Sequence, residues 1–175
     1  EAVIEGLTDG LKKDSTLISA EKMQMIVMSY FKAKSDKATK EKHEKLKVVL
    51  NEGLAFLEDN KSKEGVQVTE SGLQYVVMTE GTGKQPTATS SVTVHYHGTT
   101  PKGVVFDSSV NRGKPATFGL NQVIKGWTEG LQLMKEGSKY RFFIPQDLAY
   151  GSNAPQNGEG PIKPFMPLIF EVELI

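Results

Sequence analysis

Several features that indicate common kinds of chemistry are absent from this sequence of 175 residues. There is no cysteine, which excludes disulfide bonds, thiol catalysis and cysteine-ligated metals. No G-x-S-x-G motif of a serine hydrolase is present. No stretch approaches the roughly 18 consecutive apolar residues of a membrane-spanning helix, so no membrane span is expected.

The chain also has no net charge, with 21 basic and 21 acidic residues. The balance holds on both sides of residue 65, twelve to twelve before it and nine to nine after it. Bulk electrostatics therefore do not indicate binding to nucleic acid or to a membrane surface. In residues 32–47 seven lysines outnumber three acids, but no arginine is present. A solvated helix face explains this stretch better than a nucleic-acid contact.

Residues 1–65 have the three- and four-residue apolar spacing of helices. One short stripe predicts a first helix ending near Lys13, and Ser19 is suited to cap a second helix that continues to about residue 60. Residues 32–45 contain no large apolar side chain, so a frayed or disordered linker is the alternative there. The apolar residues behind these predictions are Val3, Ile4, Leu7 and Leu11, then Met23, Ile26, Val27, Tyr30 and Phe31, then Leu46, Val49, Leu50, Leu54 and Leu57.

Residues 66–175 change to short, often alternating runs rich in β-formers, separated by turn signals such as EGTG and TTPKG. The runs predict strands over residues 73–78, 92–96, 140–144 and 168–175. Residues 122–134 instead place Val123, Trp127 and Leu131 on one helical face. We therefore predict an α+β domain, an antiparallel sheet wrapped around one short helix and preceded by a helical arm with one long helix.

Aromatic residues of this second region have the spacing of a pocket around one buried carboxylate. Trp127 is the only Trp, and its wide ring on the buried face of the short helix suits a pocket floor. Phe170 alternates with glutamates on the last strand, so it is predicted to point inward. The full set is Tyr96, Phe106, Asp107, Val123, Ile124, Trp127, Tyr150 and Phe170.

Each polar group at such a pocket needs a hydrogen-bond partner in the protein or in the substrate. The carboxylate of Asp107 must be paired, and Arg112 and the Tyr96 hydroxyl are the nearest candidates in the sequence. Ile124 lies near a helix N-terminus, where a free backbone N–H can bind a substrate carbonyl. Tyr150 offers a phenolic donor. His95 and His97 share the opposite face of their strand, and neither a metal site nor a cofactor is predicted.

Five segments carry a close resemblance to a known family: VHYHG, VVFDSS, QVIKGWTEG, DLAYG and LIFEVELI. They resemble the FK506-binding family of peptidyl-prolyl cis/trans isomerases over residues 66–175. The resemblance implies the same roles for the residues named above. It also implies that residues 151–167 overhang the site, so that Ile162 contacts substrate. Ala116, Gln122 and Leu148 depart from the best-known single-domain members, at what the resemblance implies is the pocket rim.

An isomerase of this kind needs no nucleophile. The X-Pro bond rotates over a barrier of roughly 18–20 kcal/mol, and the amide need only lose its resonance. The planar amide separates more charge than the twisted transition state, so an apolar, water-poor pocket favours the twisted form. We therefore predict Tyr96, Phe106, Asp107, Trp127 and Tyr150 as catalytic, and Val123, Ile124, Ile162, Phe170 and Arg112 as substrate-binding.

The helical region resembles the two-domain bacterial subgroup of macrophage infectivity potentiators and FkpA-like isomerases. This implies residues 1–65 as a dimerisation-type arm and a homodimer through the N-terminal helices, unless the chain lacks the first helix that builds the dimer. The chain begins with Glu, so we expect a processed or trimmed protein of the periplasm or cell envelope rather than the cytoplasm. Expected partners are proline-containing clients and, as inhibitors, the macrolides FK506 and rapamycin. A non-catalytic proline-binding module or holdase chaperone is the alternative, and a scaffold whose helices do the work is a weaker one.

Overall fold

The computed structural model describes residues 19–175 of the chain. The first helix predicted to end near Lys13 lies outside the described residues. By internal contacts the chain divides into two compact units, Glu1–Lys45 and Leu46–Ile175. The predicted functional division into residues 1–65 and 66–175 stays a prediction. No helix within residues 19–175 has the length and apolar content needed to cross a membrane.

A long helix, α1, runs from Ala20 to Lys61, as the apolar spacing predicts. It begins where expected, because the backbone N–H of Lys22 donates to the Ser19 hydroxyl at 3.3 Å, the geometry of an N-cap. In the first unit its large apolar side chains are solvent-exposed: Tyr30 and Phe31 expose about 60% of their surface, at 59% and 62%. The alternative of a disordered linker over residues 32–45 is wrong, since this stretch is helical.

The last four turns of α1 belong to the second unit, and the end of the helix contacts the sheet. Phe56 contacts Phe143 with a centroid separation of 6.2 Å. Gly53 is buried, although glycine in a helix costs ~1 kcal/mol relative to alanine. Leu54 was expected on the buried face and is 58% exposed, because the packed face follows Gly53 and Phe56 instead.

The second unit is built on a seven-stranded antiparallel sheet. The strands are β1 Gln67–Val68, β2 Gln74–Thr79, β3 Ser91–Thr99, β4 Val105–Ser108, β5 Ala116–Gly119, β6 Lys139–Ile144 and β7 Leu168–Leu174. They lie in the order β1-β2-β6-β7-β3-β4, with β5 paired to β3. All four predicted strands are present, within a few residues of their expected ends. β1, β4 and β5 are short and were not predicted.

Four short helical segments complete this unit: the helices α2 (Ser109–Arg112) and α3 (Lys125–Leu131), and two 3₁₀ turns, Gln146–Leu148 and Pro155–Gly158. Helix α3 is shorter than the predicted 122–134. It packs tightly on the sheet, since a Cβ atom at Gly130 would lie 2.7 Å from the Phe142 ring. Trp127 and Leu131 point from α3 into the core and expose only 5% and 0% of their surface. The predicted α+β class is confirmed.

Candidate functional site

A pocket of about 660 Å³ opens between α3, the sheet and residues 151–167. Its apolar walls come from four strands and the helix, and its rim comes from the 3₁₀ turn at Pro155. The lining residues are Tyr96, Phe106, Asp107, Phe118, Gln122, Val123, Ile124, Trp127, Tyr150, Pro155, Gln156, Gly160, Pro161, Ile162 and Phe170.

Trp127 lies at the centre of an aromatic cluster in this pocket. Its ring meets three others edge to face, with centroids 5.3 Å from Tyr96, 5.5 Å from Phe118 and 5.2 Å from Phe170. Phe106 in turn packs edge to face on Phe170 at 5.3 Å. Edge-to-face pairs add ~0.5–1.5 kcal/mol each beyond simple burial. The indole is therefore held in one orientation by its neighbours.

The indole N–H of Trp127 is buried and has no hydrogen-bond partner within residues 19–175. A buried polar atom normally finds a partner, and an unpaired one costs free energy. The orientation of Trp127 is thus set by ring packing rather than by a hydrogen bond.

Asp107, the one carboxylate among the lining residues, is held by two partners. The Tyr96 hydroxyl donates to its Oδ2 at 2.5 Å, and the Arg112 guanidinium donates to its Oδ1. Arg112 also donates to the Tyr96 hydroxyl oxygen at 2.7 Å, which closes a triangle of three side chains. Both partners predicted for Asp107 from the sequence are in place.

Local structure explains why Arg112 reaches back to Asp107. Ser108 caps α2, since its hydroxyl accepts from the Asn111 N–H at 3.2 Å. Gly113 ends the helix after one turn in the left-handed conformation, with φ of 68°. This single turn places Arg112, five residues on, beside the carboxylate. Ser109 secures the turn from the other side, because its hydroxyl accepts from the Tyr96 N–H at 2.8 Å.

The triangle fixes the charge states of the pocket. Burial by itself would raise the pKa of Asp107, but hydrogen bonds from Tyr96 and Arg112 and the Arg112 charge together lower it. Burial, followed by the hydrogen bond to Asp107, raises the pKa of the Tyr96 phenol. Burial and then the negative charge of Asp107 also raise the pKa of Tyr150. Near neutral pH the site holds an ionised carboxylate and two neutral phenols.

Two hydrogen-bond donors at the pocket remain free for a ligand. The backbone N–H of Ile124, the residue that precedes α3, has no partner within the described residues. The Tyr150 hydroxyl, on a residue 38% exposed, has no hydrogen bond within the same residues. Two donors at the edges of an apolar pocket suit the carbonyl oxygens of a peptide backbone.

Residues 151–167 cover one side of the pocket, as the resemblance implies. Ile162 is 7% exposed and lines it together with Pro155 and Pro161. The two ends of this segment are joined, because the Phe165 N–H donates to the Gly151 carbonyl at 2.7 Å. Phe165 itself has a left-handed backbone with φ of 63°, which is unusual for a large side chain.

Nine of the ten predicted site residues line the pocket, and the tenth, Arg112, lies behind Asp107. Their catalytic and binding roles stay predictions. Phe118 lines the pocket but was not predicted, since its short strand β5 gives no alternating signal. Of the three departures from single-domain members, Gln122 lines the pocket. Ala116 and Leu148 instead pack against the core.

The described residues offer no obvious place for a metal ion. Within residues 19–175, no group of three or more His, Asp or Glu side chains is arranged to bind one. His95 and His97 each contact a serine hydroxyl, Ser109 at 3.2 Å and Ser108 at 2.9 Å.

Comparison with known proteins shows the relatives of this chain. A family model described as FKBP-type peptidyl-prolyl cis-trans isomerase matches residues 82–175, and one described as the domain amino terminal to it matches residues 1–77. The FKBP-type isomerase FkpA of Aeromonas hydrophila is 49% identical over 99% of this chain. The Outer membrane protein MIP of Legionella longbeachae is 43% identical over 100% of it. The chain spans 63% of the Aeromonas relative and 74% of the Legionella relative.

Solved structures agree with these sequence matches. The crystal structure of FkpA from Escherichia coli superposes with a TM-score of 0.78 at 32% identity, covering 99% of this chain and 79% of that one. Both the predicted family and the predicted enzyme class are confirmed. The chain belongs to the FKBP-type peptidyl-prolyl cis-trans isomerases, in the group that includes FkpA and the macrophage infectivity potentiators.

Proposed function

We propose that the pocket above Trp127 binds the proline ring of a client polypeptide and accelerates rotation about the preceding peptide bond. The observation that carries this proposal is the indole of Trp127, 5% exposed and packed edge to face against three aromatic rings. A flat pyrrolidine ring stacks on such a surface without displacing a charged group.

Catalysis in this proposal is non-covalent. The planar X-Pro amide carries resonance charge on its oxygen and nitrogen, and the twisted amide carries less. The pocket walls are formed by the apolar rings of Phe106, Phe118 and Phe170, which solvate that charge poorly. The twisted form of the amide is therefore stabilised relative to the planar form. The uncatalysed reaction takes tens to hundreds of seconds, so a modest preference for the twisted form has a large effect on folding.

Backbone contacts position the client in this mechanism. The free N–H of Ile124 donates to one carbonyl of the bound segment, and the Tyr150 hydroxyl donates to another. Both groups are unpaired within the described residues, so neither must break a protein hydrogen bond to bind. Orienting the amide in this way fixes one half of it while the other half rotates.

Asp107 has a supporting role in the proposal. Its two oxygens are directed at Tyr96 and Arg112, so the negative charge is compensated behind the pocket wall. The triangle also holds the Tyr96 ring, which packs on Trp127. The pocket keeps its shape and its largely apolar surface at neutral pH.

The wider biology follows from the relatives and remains part of the proposal. Clients are proline-containing polypeptides that fold in the periplasm or cell envelope, since one relative is named an outer membrane protein. FK506 and rapamycin bind the same pocket and inhibit. Residues 1–65 act as an arm that brings two copies or a client together, and residues 66–175 carry the chemistry.

A cis/trans assay on short X-Pro peptides separates catalysis from simple binding. The wild-type chain is expected to accelerate isomerisation, and the Trp127→Ala and Asp107→Ala variants are expected to lose most of that activity. If peptides bind to the wild type without any acceleration over the uncatalysed rate, the protein is a proline-binding module or holdase instead. The same conclusion follows if the protein suppresses aggregation of an unfolded client without accelerating its refolding.

A further inference from the structure

The end of helix α1 meets the segment that covers the pocket at one small contact. Gly53 of the helix and Pro167 are both buried. A Cβ atom added at Gly53 would lie 2.6 Å from Cδ and 3.2 Å from Cγ of Pro167, and 3.6 Å from the Phe165 carbonyl oxygen. Distances below 3.0 Å require a neighbour to move, so only glycine permits this approach.

The helix side of this contact is fixed to the sheet. Asn60 is 2% exposed and donates to the Gln74 side-chain oxygen at 2.8 Å, and Gln74 donates to the Leu57 carbonyl at 2.8 Å. Phe56 packs on Phe143 of β6. Three residues of the last two turns, Phe56, Leu57 and Asn60, are therefore tied to the sheet, so we expect the helix to resist displacement.

The strand side is fixed as well. Leu168, directly after Pro167, is fully buried and pairs with Ile144 in the β6–β7 ladder. Phe170 of the same strand lines the pocket. Because the strand after Pro167 is held in the sheet, we expect a methyl group at Gly53 to displace Pro167 together with the residues before it.

That segment, residues 151–166, is closed on itself by hydrogen bonds, so we expect it to shift as a unit. Its ends are joined by the hydrogen bond from Phe165 to Gly151, and Lys163 donates across it to the Gly158 carbonyl at 2.8 Å. Ile162, three residues before Phe165, contacts the pocket. A shift at the Phe165 end is transmitted to the residues that touch substrate, as in other compact loops whose side chains pack on one another.

We infer that Gly53 is a positioning residue for the isomerase site. Because it has no side chain, α1 can contact Pro167, and this contact fixes the position of residues 151–167, which cover the pocket. The inference rests on the proposed function of the pocket. Helix α1 in this view does more than precede the catalytic domain, because its last turns determine where Ile162 lies. Neither Gly53 nor Pro167 touches the pocket itself.

The test compares Gly53→Ala with Asn51→Ala, an exposed position two residues earlier on the same helix. Gly53→Ala is expected to lower kcat/KM about tenfold, since misplacing site residues by ~1 Å can cost up to 10²-fold. In Gly53→Ala the amide NMR shifts of residues 151–167 are also expected to change. Asn51→Ala is expected to change neither kcat/KM nor these shifts. Equal kcat/KM for the two variants would overturn the inference.

A rescue separates positioning from general loss of stability. Pro167→Ala removes both ring atoms that the new methyl group would meet, so Gly53→Ala with Pro167→Ala is expected to regain the kcat/KM of Pro167→Ala alone. No recovery in the folded double variant contradicts the inference. Pro167→Ala alone should lower kcat/KM less than Gly53→Ala does, because it removes one contact of the segment with α1 without creating a clash. If Gly53→Ala does not fold, Pro167→Ala carries the test, and unchanged activity overturns the inference.

Failure of the Gly53 inference can be distinguished from failure of the proposed isomerase function. Trp127→Leu, measured beside these variants, reports on the pocket alone. If Trp127→Leu retains wild-type activity, the proposed function fails whatever Gly53 does. If Trp127→Leu is inactive while Gly53→Ala is fully active, the pocket assignment stands and only the positioning role of Gly53 fails.

Discussion

The hydroxyl of Tyr96 donates to the Asp107 carboxylate at 2.5 Å while accepting from Arg112 at 2.7 Å. The Tyr96 side chain thus donates to a half-exposed acid, accepts a hydrogen bond from the counter-ion of that acid, and packs its ring on Trp127 at a centroid distance of 5.3 Å. Hydrogen bonding and aromatic packing of the pocket are coupled at this residue. A substitution that removes only the hydroxyl can separate the two contributions.

Tyr96→Phe keeps the ring and removes the hydroxyl. Asp107 and Arg112 each lose one partner, so we expect the free energy of unfolding to fall by ~1 kcal/mol. The pKa of Asp107 should rise towards its ordinary value, because the Tyr96 hydrogen bond is one of the interactions that lower it. NMR titration of the Asp107 carboxyl carbon measures the shift. An unchanged pKa would show that Arg112 alone holds the carboxylate.

Asp107→Asn is predicted to change the pH dependence of stability. The pKa of Asp107 in the folded protein lies below the ordinary 3.8, so the ionised carboxylate stabilises the fold above that pH. That contribution is lost as the pH falls through the lower folded pKa. Urea unfolding from pH 7 to pH 2 should therefore show the wild type more stable than the variant at pH 7, with the gap closing in acid. A gap that stays constant with pH would contradict this account.

Tyr150→Phe tests the free phenolic donor. The Tyr150 hydroxyl has no partner within the described residues, so its removal should leave the thermal midpoint unchanged. If it donates to a bound client, kcat/KM should fall about threefold to tenfold, the cost of ~1 kcal/mol for one hydrogen bond. Peptide isomerisation assays and thermal unfolding of the wild type and of Tyr150→Phe test both expectations. Equal kcat/KM would remove Tyr150 from the set of donors.

Phe118→Leu tests the wall residue that sequence patterns did not reveal. The Phe118 ring packs edge to face on Trp127 at 5.5 Å and lies 5.9 Å from Tyr96. Leucine retains apolar bulk, so the loss of stability should be modest, about 1–2 kcal/mol. Trp127 should become freer to reorient, which its fluorescence anisotropy decay would report. No change in the Trp127 signal would mean that Tyr96 and Phe170 alone hold the indole.

Asn60→Leu addresses the link between α1 and the sheet. The variant leaves the buried side-chain oxygen of Gln74 without its donor, at a cost of ~1–3 kcal/mol. A double variant with Gln74→Leu should cost less than the sum of the two single changes, since each removes the other's orphaned group. Urea unfolding of the two single variants and of the double variant measures the three losses of stability. Strictly additive losses would show that the Asn60–Gln74 bond contributes nothing.

Periodicity in the sequence predicts the elements whose burial is regular. Residues 140–144 and 168–174 face the core at alternating or consecutive positions. Helix α1 has the predicted ends, although its residues 32–45 carry no large apolar side chain. Strand β5 is different, because its four residues, Ala116–Gly119, are too few for an alternating pattern to be recognised. For that reason Phe118 escapes prediction although it touches Trp127.

Contacts between distant segments are the other limit of prediction. Asp107 and Arg112 are close in sequence, so a partner for the carboxylate could be predicted within one turn. Gly53 and Pro167 are 114 positions apart, and their contact depends on how α1 packs on the sheet. In the sequence Gly53 looks only like an unfavourable residue within a helix. Chemistry carried by local motifs was therefore predictable, and support from remote segments was not.

One titration tests the central claim most directly, that the pocket above Trp127 is the isomerase site. FK506 or rapamycin is added to the wild-type chain, and Trp127 fluorescence and X-Pro isomerisation are recorded on the same samples. Because Trp127 is the only Trp, its signal reports occupancy of this pocket. Isomerase activity is expected to fall in proportion to occupancy of the pocket and to reach the uncatalysed rate at saturation. Undiminished activity with the Trp127 signal saturated would contradict it.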